Sequence, residues 1–314
     1  MFVVGGESLI DLVPVSAAAR AERIALPGGS PFNCAIALSK LGNRTGFLCP
    51  ISADQYGELL LKPLAEAGVS VLLSERVAAP TTKAIVTFNE KMQASYVFER
   101  GADRAFTRES LLAALPENIE LYQIGGFCPI LAEDAAIWSD VVDAAAARGA
   151  TLSIDINVRD KLVDDEAGYR ARLDQFLDKA NLVKLSEEDH EWLMPGMSIE
   201  AHAEALLARP NCELVVVTLG EQGSRAFSKA GSATAPIHAP PVFGDTVGAG
   251  DSLMAGILTW LGEAGALRRG GLAALDAAQL EKMLRFGAVV AGINCGRKGC
   301  QPPSRAEVDA VLGA

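Results

Sequence analysis

Histidine occurs three times in 314 residues, and aromatic side chains make up only 6% of the chain. His190, His202 and His238 have no zinc-ligand spacing, and none of the six cysteines falls in a C-x-x-C pair. A zinc finger and a dithiol redox centre are therefore excluded. Cys34, Cys49, Cys128, Cys212, Cys295 and Cys300 read as small buried hydrophobes or free thiols of a reducing compartment. Positive charge is scarce as well. With 28 Lys and Arg against 39 Asp and Glu, the net charge of −11 argues against a nucleic-acid partner. No apolar run approaches the ~20 residues of a membrane span. The opening MFVVGGESLIDLVP has a short apolar run and no basic leader. The expectation is a soluble, cytoplasmic protein with no membrane partner. Two familiar phosphate loops are missing too. There is no G-x-x-x-x-G-K-[ST], and Leu253 stands where a dinucleotide fingerprint behind Gly248 and Gly250 needs its third glycine.

What is present is apolar: half the residues are hydrophobic. Short β-branched runs at Phe2 to Gly6, Thr151 to Ile156, Asn181 to Leu185 and Leu214 to Gly220 predict buried strands. Helical stretches lie between them at Ala132 to Arg148, Gly168 to Lys179 and Ile199 to Ala208. Alternation of this kind predicts a parallel sheet covered by helices on both faces. A further helix follows PGGS, with Ser30 as its expected N-cap, Pro31 at the first helical position and Gly42 as its stop. Thr82 to Phe98 breaks the alternation. Val86, Phe88, Tyr96 and Phe98 recur at period two around an NEK turn, which predicts a hairpin, and Leu12 to Leu26 could add strands to it.

The stretch GDTVGAGDSLMAGIL, Gly244 to Leu258, joins a glycine-rich turn to an apolar helix. Backbone N–H groups at such a junction, together with the helix dipole, form an anion site. Asp251 stands immediately behind it. The stretch alone leaves two readings open: Asp251 caps the helix, or it takes a proton from a hydroxyl while the N–H groups hold a phosphoryl group. Asp11, in GESLID after the first strand, would face the crevice at the carboxyl end of the sheet. Its carboxylate could accept from two adjacent sugar hydroxyls. Gly28 and Gly29 permit close backbone approach to a ligand, and Asn33 offers both donor and acceptor.

These segments together resemble the ribokinase-like (PfkB) carbohydrate kinase family over essentially the whole chain. PGGSPFNCAIALSKLG is similar to its G-G-x-x-x-N element and DTVGAGD to its D-T-x-G-A-G-D signature. VTLGEQGS resembles its T-x-G-x-x-G nucleotide strand, and GRKGCQPP its C-terminal R-x-G-x-x-P region. Within the family, GESLIDLVP, FERGADRAF, DINVRDKLV and VKLSEEDHEWL look most like bacterial fructokinases.

The resemblance implies one α/β domain over residues 1–314. A central, mostly parallel sheet would be flanked by helices, with a small antiparallel β lid from roughly 12–26 and 82–99. It implies an ATP-dependent sugar kinase. Asp251 would be the base, and Gly248, Ala249 and Gly250 would supply the anion hole. Asp11, Gly28, Gly29 and Asn33 would hold the sugar, with Arg100 and Arg159 at its phosphate end. ATP would lie along Thr218, Gly220 and Gly223, with Lys184 near its phosphates and Ala288 near adenine. Glu187 or Asp189 would manage Mg2+, since SEED replaces the family's N-x-x-E. Asp245, Val247, Asn294, Arg297 and Gly299 resemble the loop that holds a monovalent cation such as K+, and the lid often pairs two subunits. Fructose is the expected acceptor. 2-keto-3-deoxygluconate, ribose, a nucleoside or a sugar phosphate are alternatives within the family. A non-catalytic sugar- or nucleotide-binding protein is the alternative outside it.

Overall fold

The computed structural model describes residues 1–15, 22–88 and 94–313. The expected β-branched runs form strands of one large sheet. Its members are β1 (Phe2–Gly5), β4 (Thr45–Leu48), β5 (Ser70–Val71), β8 (Leu121–Gly125), β9 (Thr151–Asp155), β10 (Leu182–Ser186), β11 (Leu214–Thr218), β12 (Ser224–Ser228) and β13 (Ser232–Ala235). The order is β13-β12-β11-β10-β9-β8-β1-β4-β5. Pairing is parallel from β11 to β5, while β12 and β13 add an antiparallel edge. The chain lays β4 and β5 on one side of β1 and all later strands on the other. This reversal opens a crevice at the carboxyl ends of β1 and β8.

Helices cover both faces because the central strands of the parallel region are mainly apolar and buried on both sides. One apolar core lies under α1 (Ser30–Lys40), α2 (Gln55–Ala67), α8 (Ala249–Glu263), α9 (Ala277–Cys295) and α10 (Arg305–Leu312). The other lies under α3 (Arg108–Ala114), α4 (Ala132–Ala147), α5 (Glu166–Lys179), α6 (Glu187–Leu193) and α7 (Ile199–Leu207). α8 and α9 run against each other where Gly256 faces Gly287. A Cβ on Gly256 would stand 2.8 Å from the Gly287 Cα, so a larger residue would drive the helices apart.

The second sheet has the order β3-β2-β6-β7. It consists of β2 (Leu9–Pro14), β3 (Arg23–Gly28), β6 (Lys83–Phe88) and β7 (Ala94–Glu99). The expected hairpin is present, with Val86 opposite Tyr96, but its NEK turn lies outside the described residues. Two antiparallel hairpins are joined by parallel pairing of β2 with β6. β2 leaves the crevice directly after β1, so this sheet stands over the carboxyl end of the main one.

Candidate active site

The N-terminus of α8 is the centre of the site. Its N-cap is Gly248, in the left-handed region at φ 71°, with no side chain to satisfy the first-turn donors. A side chain on Gly248 would also overlap the Cys300 Sγ. The Ala249 N–H, expected among the anion-hole donors, donates to the Thr246 carbonyl at 3.1 Å in this state. The N–H groups of Gly248, Gly250 and Asp251 have no acceptor among the described residues, and the helix dipole adds to their pull on an anion.

Asp251 does not cap its own helix. Its carboxylate reaches α1, where Ser30 Oγ donates to Oδ1 at 2.7 Å and Asn33 Nδ2 donates to Oδ2 at 2.8 Å. Ser30 is therefore not the N-cap of α1. Gly29 takes that position with φ 109°, and the serine hydroxyl is free to orient Asp251. Asn33, expected to hold sugar, holds the carboxylate in this state. Burial raises the Asp251 pKa, against the pull of the Ser30 and Asn33 hydrogen bonds and the Lys184 and Arg159 cations.

Lys184 and Asp155 sit side by side on β10 and β9. The Lys184 Nζ is 2.9 Å from both Asp155 oxygens, and both side chains are buried. A Cβ on Gly250 would lie 3.3 Å from the same Nζ, which puts this cation beneath the glycine loop. Burial favours the neutral amine, but Asp155, Asp189 and Asp251 outweigh it and keep Lys184 protonated. Asp155 was not legible as a site residue; the pairing depends on strand register.

Around the crevice the expected sugar residues divide. The Asp11 carboxylate makes no hydrogen bond among the described residues, and burial lifts its pKa to about 6 against the opposing Arg159 cation. Gly28 closes over it, since a Cβ there would overlap the Asp11 carboxylate. Arg159 donates to the Val158 carbonyl at 3.2 Å and forms no ion pair among the described residues. Arg100 is largely committed to Asp103, though its other terminal nitrogen is buried without a hydrogen-bond partner among the described residues. Its Nε and one terminal nitrogen hold Asp103 at 2.9 and 2.6 Å, and its guanidinium lies over the Phe127 ring. Glu7, which sequence reasoning passed over, is buried beside the crevice and accepts from the Phe127 N–H at 3.0 Å. Burial carries its pKa to about 7.

The SEED segment requires a correction. Asp189 Oδ1 accepts from the Val158 N–H at 2.7 Å, and Oδ2 accepts from the N–H and hydroxyl of Ser186, each at 2.8 Å. It closes a capping box on α6, which leaves only one lone pair, on Oδ1, unspent. Glu187 is exposed in the same turn. One carboxylate plus phosphate oxygens suits Mg2+, which the exposed Glu187 can offer with less rearrangement than Asp189.

Thr218 ends β11, and the turn after it carries Gly220 and Gly223 at φ 54° and 90°. Gly220 faces open space, while a side chain on Gly223 would strike β13 at the Ala235 carbonyl. Ala288 is buried on α9. Beyond the turn, Val242 and Phe243 are 74% and 66% exposed next to the glycine loop, an apolar surface that sequence reasoning did not single out. Below the loop, Asp245 accepts from the N–H groups of Val247 and Gly299 at 2.9 and 2.7 Å. Asn294 donates to the Val247 carbonyl at 2.8 Å, and the Arg297 carbonyl accepts from the Asp245 N–H at 3.2 Å. These carbonyls keep a second lone pair each, an all-oxygen donor set that suits a hard monovalent cation. The Arg297 side chain turns away to Glu307 and the Gln301 carbonyl.

Residues 1–307 match the family model described as pfkB family carbohydrate kinase. The chain belongs to the PfkB family. It is therefore a carbohydrate kinase, an enzyme that transfers a phosphoryl group to an alcohol. Among curated relatives of this PfkB kinase, a probable fructokinase-4 of Arabidopsis thaliana is 30% identical over 98% of this chain and 95% of its own. A fructokinase of Rhizobium leguminosarum bv. trifolii is 32% identical over 91% of this chain and 86% of its own. The fold is shared with the ATP-bound crystal structure of a Xylella fastidiosa fructokinase. That comparison has a TM-score of 0.85 and 24% identity over 99% of this chain and 98% of the other. No helix among the described residues is long and apolar enough to cross a membrane.

Proposed function

We propose that this PfkB kinase phosphorylates fructose from MgATP, with Asp251 as the general base. One observation carries the mechanism: Asp251 stands at an uncapped helix N-terminus, turned away from its own backbone and aimed by Ser30 and Asn33. The sugar lies between Asp11 and Asp251. Its acceptor hydroxyl displaces one donor from Asp251 and gives up its proton there as it attacks the γ-phosphoryl group of ATP. The open N–H groups of Gly248 and Gly250 stabilise the charge on that group, reinforced by Lys184 beneath them. Asp155 keeps Lys184 in place. Mg2+, held through Glu187 and the phosphates, neutralises phosphate charge when bound. ATP extends toward Thr218 and Gly220, and Val242 and Phe243 offer an apolar surface for adenine near Ala288. A monovalent cation at the carbonyls of Asp245, Val247 and Arg297 would steady the glycine loop.

The small sheet closes over the sugar and excludes water, which would otherwise take the phosphoryl group. Ile24 and Leu26, two apart on β3, are 48% and 42% exposed, which supports pairing of two copies through this sheet. The composition supports a cytoplasmic setting. One observation favours a second acceptor class. Arg159 is a cation at the crevice without an ion pair among the described residues, suited to a carboxylate or phosphate on the acceptor.

The test is ADP release with MgATP and fructose, 2-keto-3-deoxygluconate, ribose, adenosine or fructose 6-phosphate, with and without K+. Preference for fructose is the expected result. Preference for the ketodeoxygluconate or the sugar phosphate would assign Arg159 to the acceptor's charge and overturn fructose. Tight binding without turnover of any acceptor would overturn the kinase mechanism.

A further inference from the structure

Two of the three histidines form a buried pair that the phosphoryl-transfer site does not use. His190 Nε2 is 2.9 Å from the Met197 carbonyl, and His190 Nδ1 is 2.8 Å from His202 Nδ1. A carbonyl can only accept, so His190 Nε2 carries the proton. In neutral His190 the Nδ1 is then a lone pair, and His202 Nδ1 must donate to it. The consequence falls on the far nitrogen. In neutral His202, Nε2 is left as an unprotonated acceptor with no hydrogen-bond partner among the described residues, open to the space beside it. Burial, His190 and Arg209 hold the His202 pKa down at about 4, so the ring is neutral at ordinary pH.

His202 lines a cavity of about 130 Å3 between α5, α6 and α7. Its other walls are mainly Leu173, Leu177, Leu193, Met194 and Leu206. Arg170 and Arg209 border it with little charge to spare. Arg170 is held by Glu166 and the carbonyls of Trp192 and Leu193, and Arg209 by Asp174 and Asp178. A cavity of this size accommodates a small aromatic ring. A ligand that donates to this acceptor gains a hydrogen bond that a purely apolar one lacks.

We propose that this cavity binds a small neutral molecule of the phenol class: an apolar body with one hydroxyl or N–H, donated to His202 Nε2. The site lies apart from the phosphoryl-transfer crevice but touches the same helix. α6 runs from the capping box of Asp189 beside Val158 to Leu193 at the cavity.

The scarcity of histidine makes the test clean, because this chain has only three imidazoles to assign. Phenol is titrated at pH 8 while the ring nitrogens are followed by long-range proton–nitrogen NMR. Toluene serves as a control of the same shape with no donor. Phenol is expected to move the His202 Nε2 signal saturably, leave His238 unmoved and bind about tenfold more tightly than toluene. His202→Phe should erase that preference, and Ala205→Phe, on an exposed helix position at the cavity, should block both ligands. Equal binding of phenol and toluene to the wild-type protein would overturn the proposal. So would the absence of a saturable shift at His202 up to the solubility of phenol.

Discussion

Asp189 and Asp251 occupy the same position in two helices, the third residue of the first turn, yet the chain uses them in opposite ways. α6 opens on Ser186, whose hydroxyl and N–H lock Asp189 into a capping box and satisfy the helix end. α8 opens on Gly248, which brings no side chain and leaves the first-turn donors open. Asp251 therefore has no capping duty and is held from outside, by Ser30 and Asn33 of α1. The N-cap residue decides whether a first-turn carboxylate becomes structure or chemistry.

The largest effect is expected from closing the open end. Gly248→Ala forces a Cβ against the Cys300 Sγ at a positive φ, which displaces the anion-hole donors. Turnover should fall about 10²-fold, while urea unfolding shows a loss of no more than about 1–3 kcal/mol. Unchanged turnover would separate the glycine from the chemistry.

Lys184→Met tests the cation under the loop. It strands the Asp155 carboxylate in the interior, and urea unfolding should show a loss of about 3 kcal/mol or more. The double variant Asp155→Asn/Lys184→Met should recover much of that stability while turnover stays low. Recovery of turnover with stability would make the pair purely structural.

A pair of serine substitutions puts the contrast between the helices directly. Ser186→Ala removes a cap and should cost about 1 kcal/mol of stability with kcat within about twofold of wild type. Ser30→Ala should leave stability nearly unchanged and lower kcat about three- to tenfold, because it frees one oxygen of the base. If both variants shift stability alone, the two aspartates are alike.

The last effect leaves turnover aside and concerns Glu7. Its folded pKa of about 7 lies above the ordinary 4.5, so between these values the folded state binds more protons than the unfolded one. Stability should therefore fall as pH rises from 4.5 to 7, and Glu7→Gln should flatten that slope in denaturation curves. An unaltered slope would remove Glu7 as its source.

Much of this arrangement is legible in the sequence because it is local. The strands of the parallel core follow from β-branched runs, and the loop-to-helix junction around Asp251 follows from its glycines. Ser30 misled because Ser-Pro before a helix matches the cap signature, whereas the cap falls one residue earlier on Gly29. The Ser186 to Asp189 spacing is itself a capping-box pattern. Reading it against a metal motif hid that simpler use. Lys184 and Asp155 could not be paired in advance, since 29 residues separate them and only the register of β9 and β10 makes them neighbours. Arg100 and Arg159 look equivalent in the chain. Their difference arises from Asp103 and Asp134, which reach one and not the other.

The central claim is that Asp251 removes the acceptor proton. Its most direct test is single-turnover phosphoryl transfer by Asp251→Asn at saturating MgATP and sugar, with sugar affinity measured by calorimetry. The account predicts a rate lower by ~10²-fold or more with sugar binding largely retained. A rate close to wild type would contradict it.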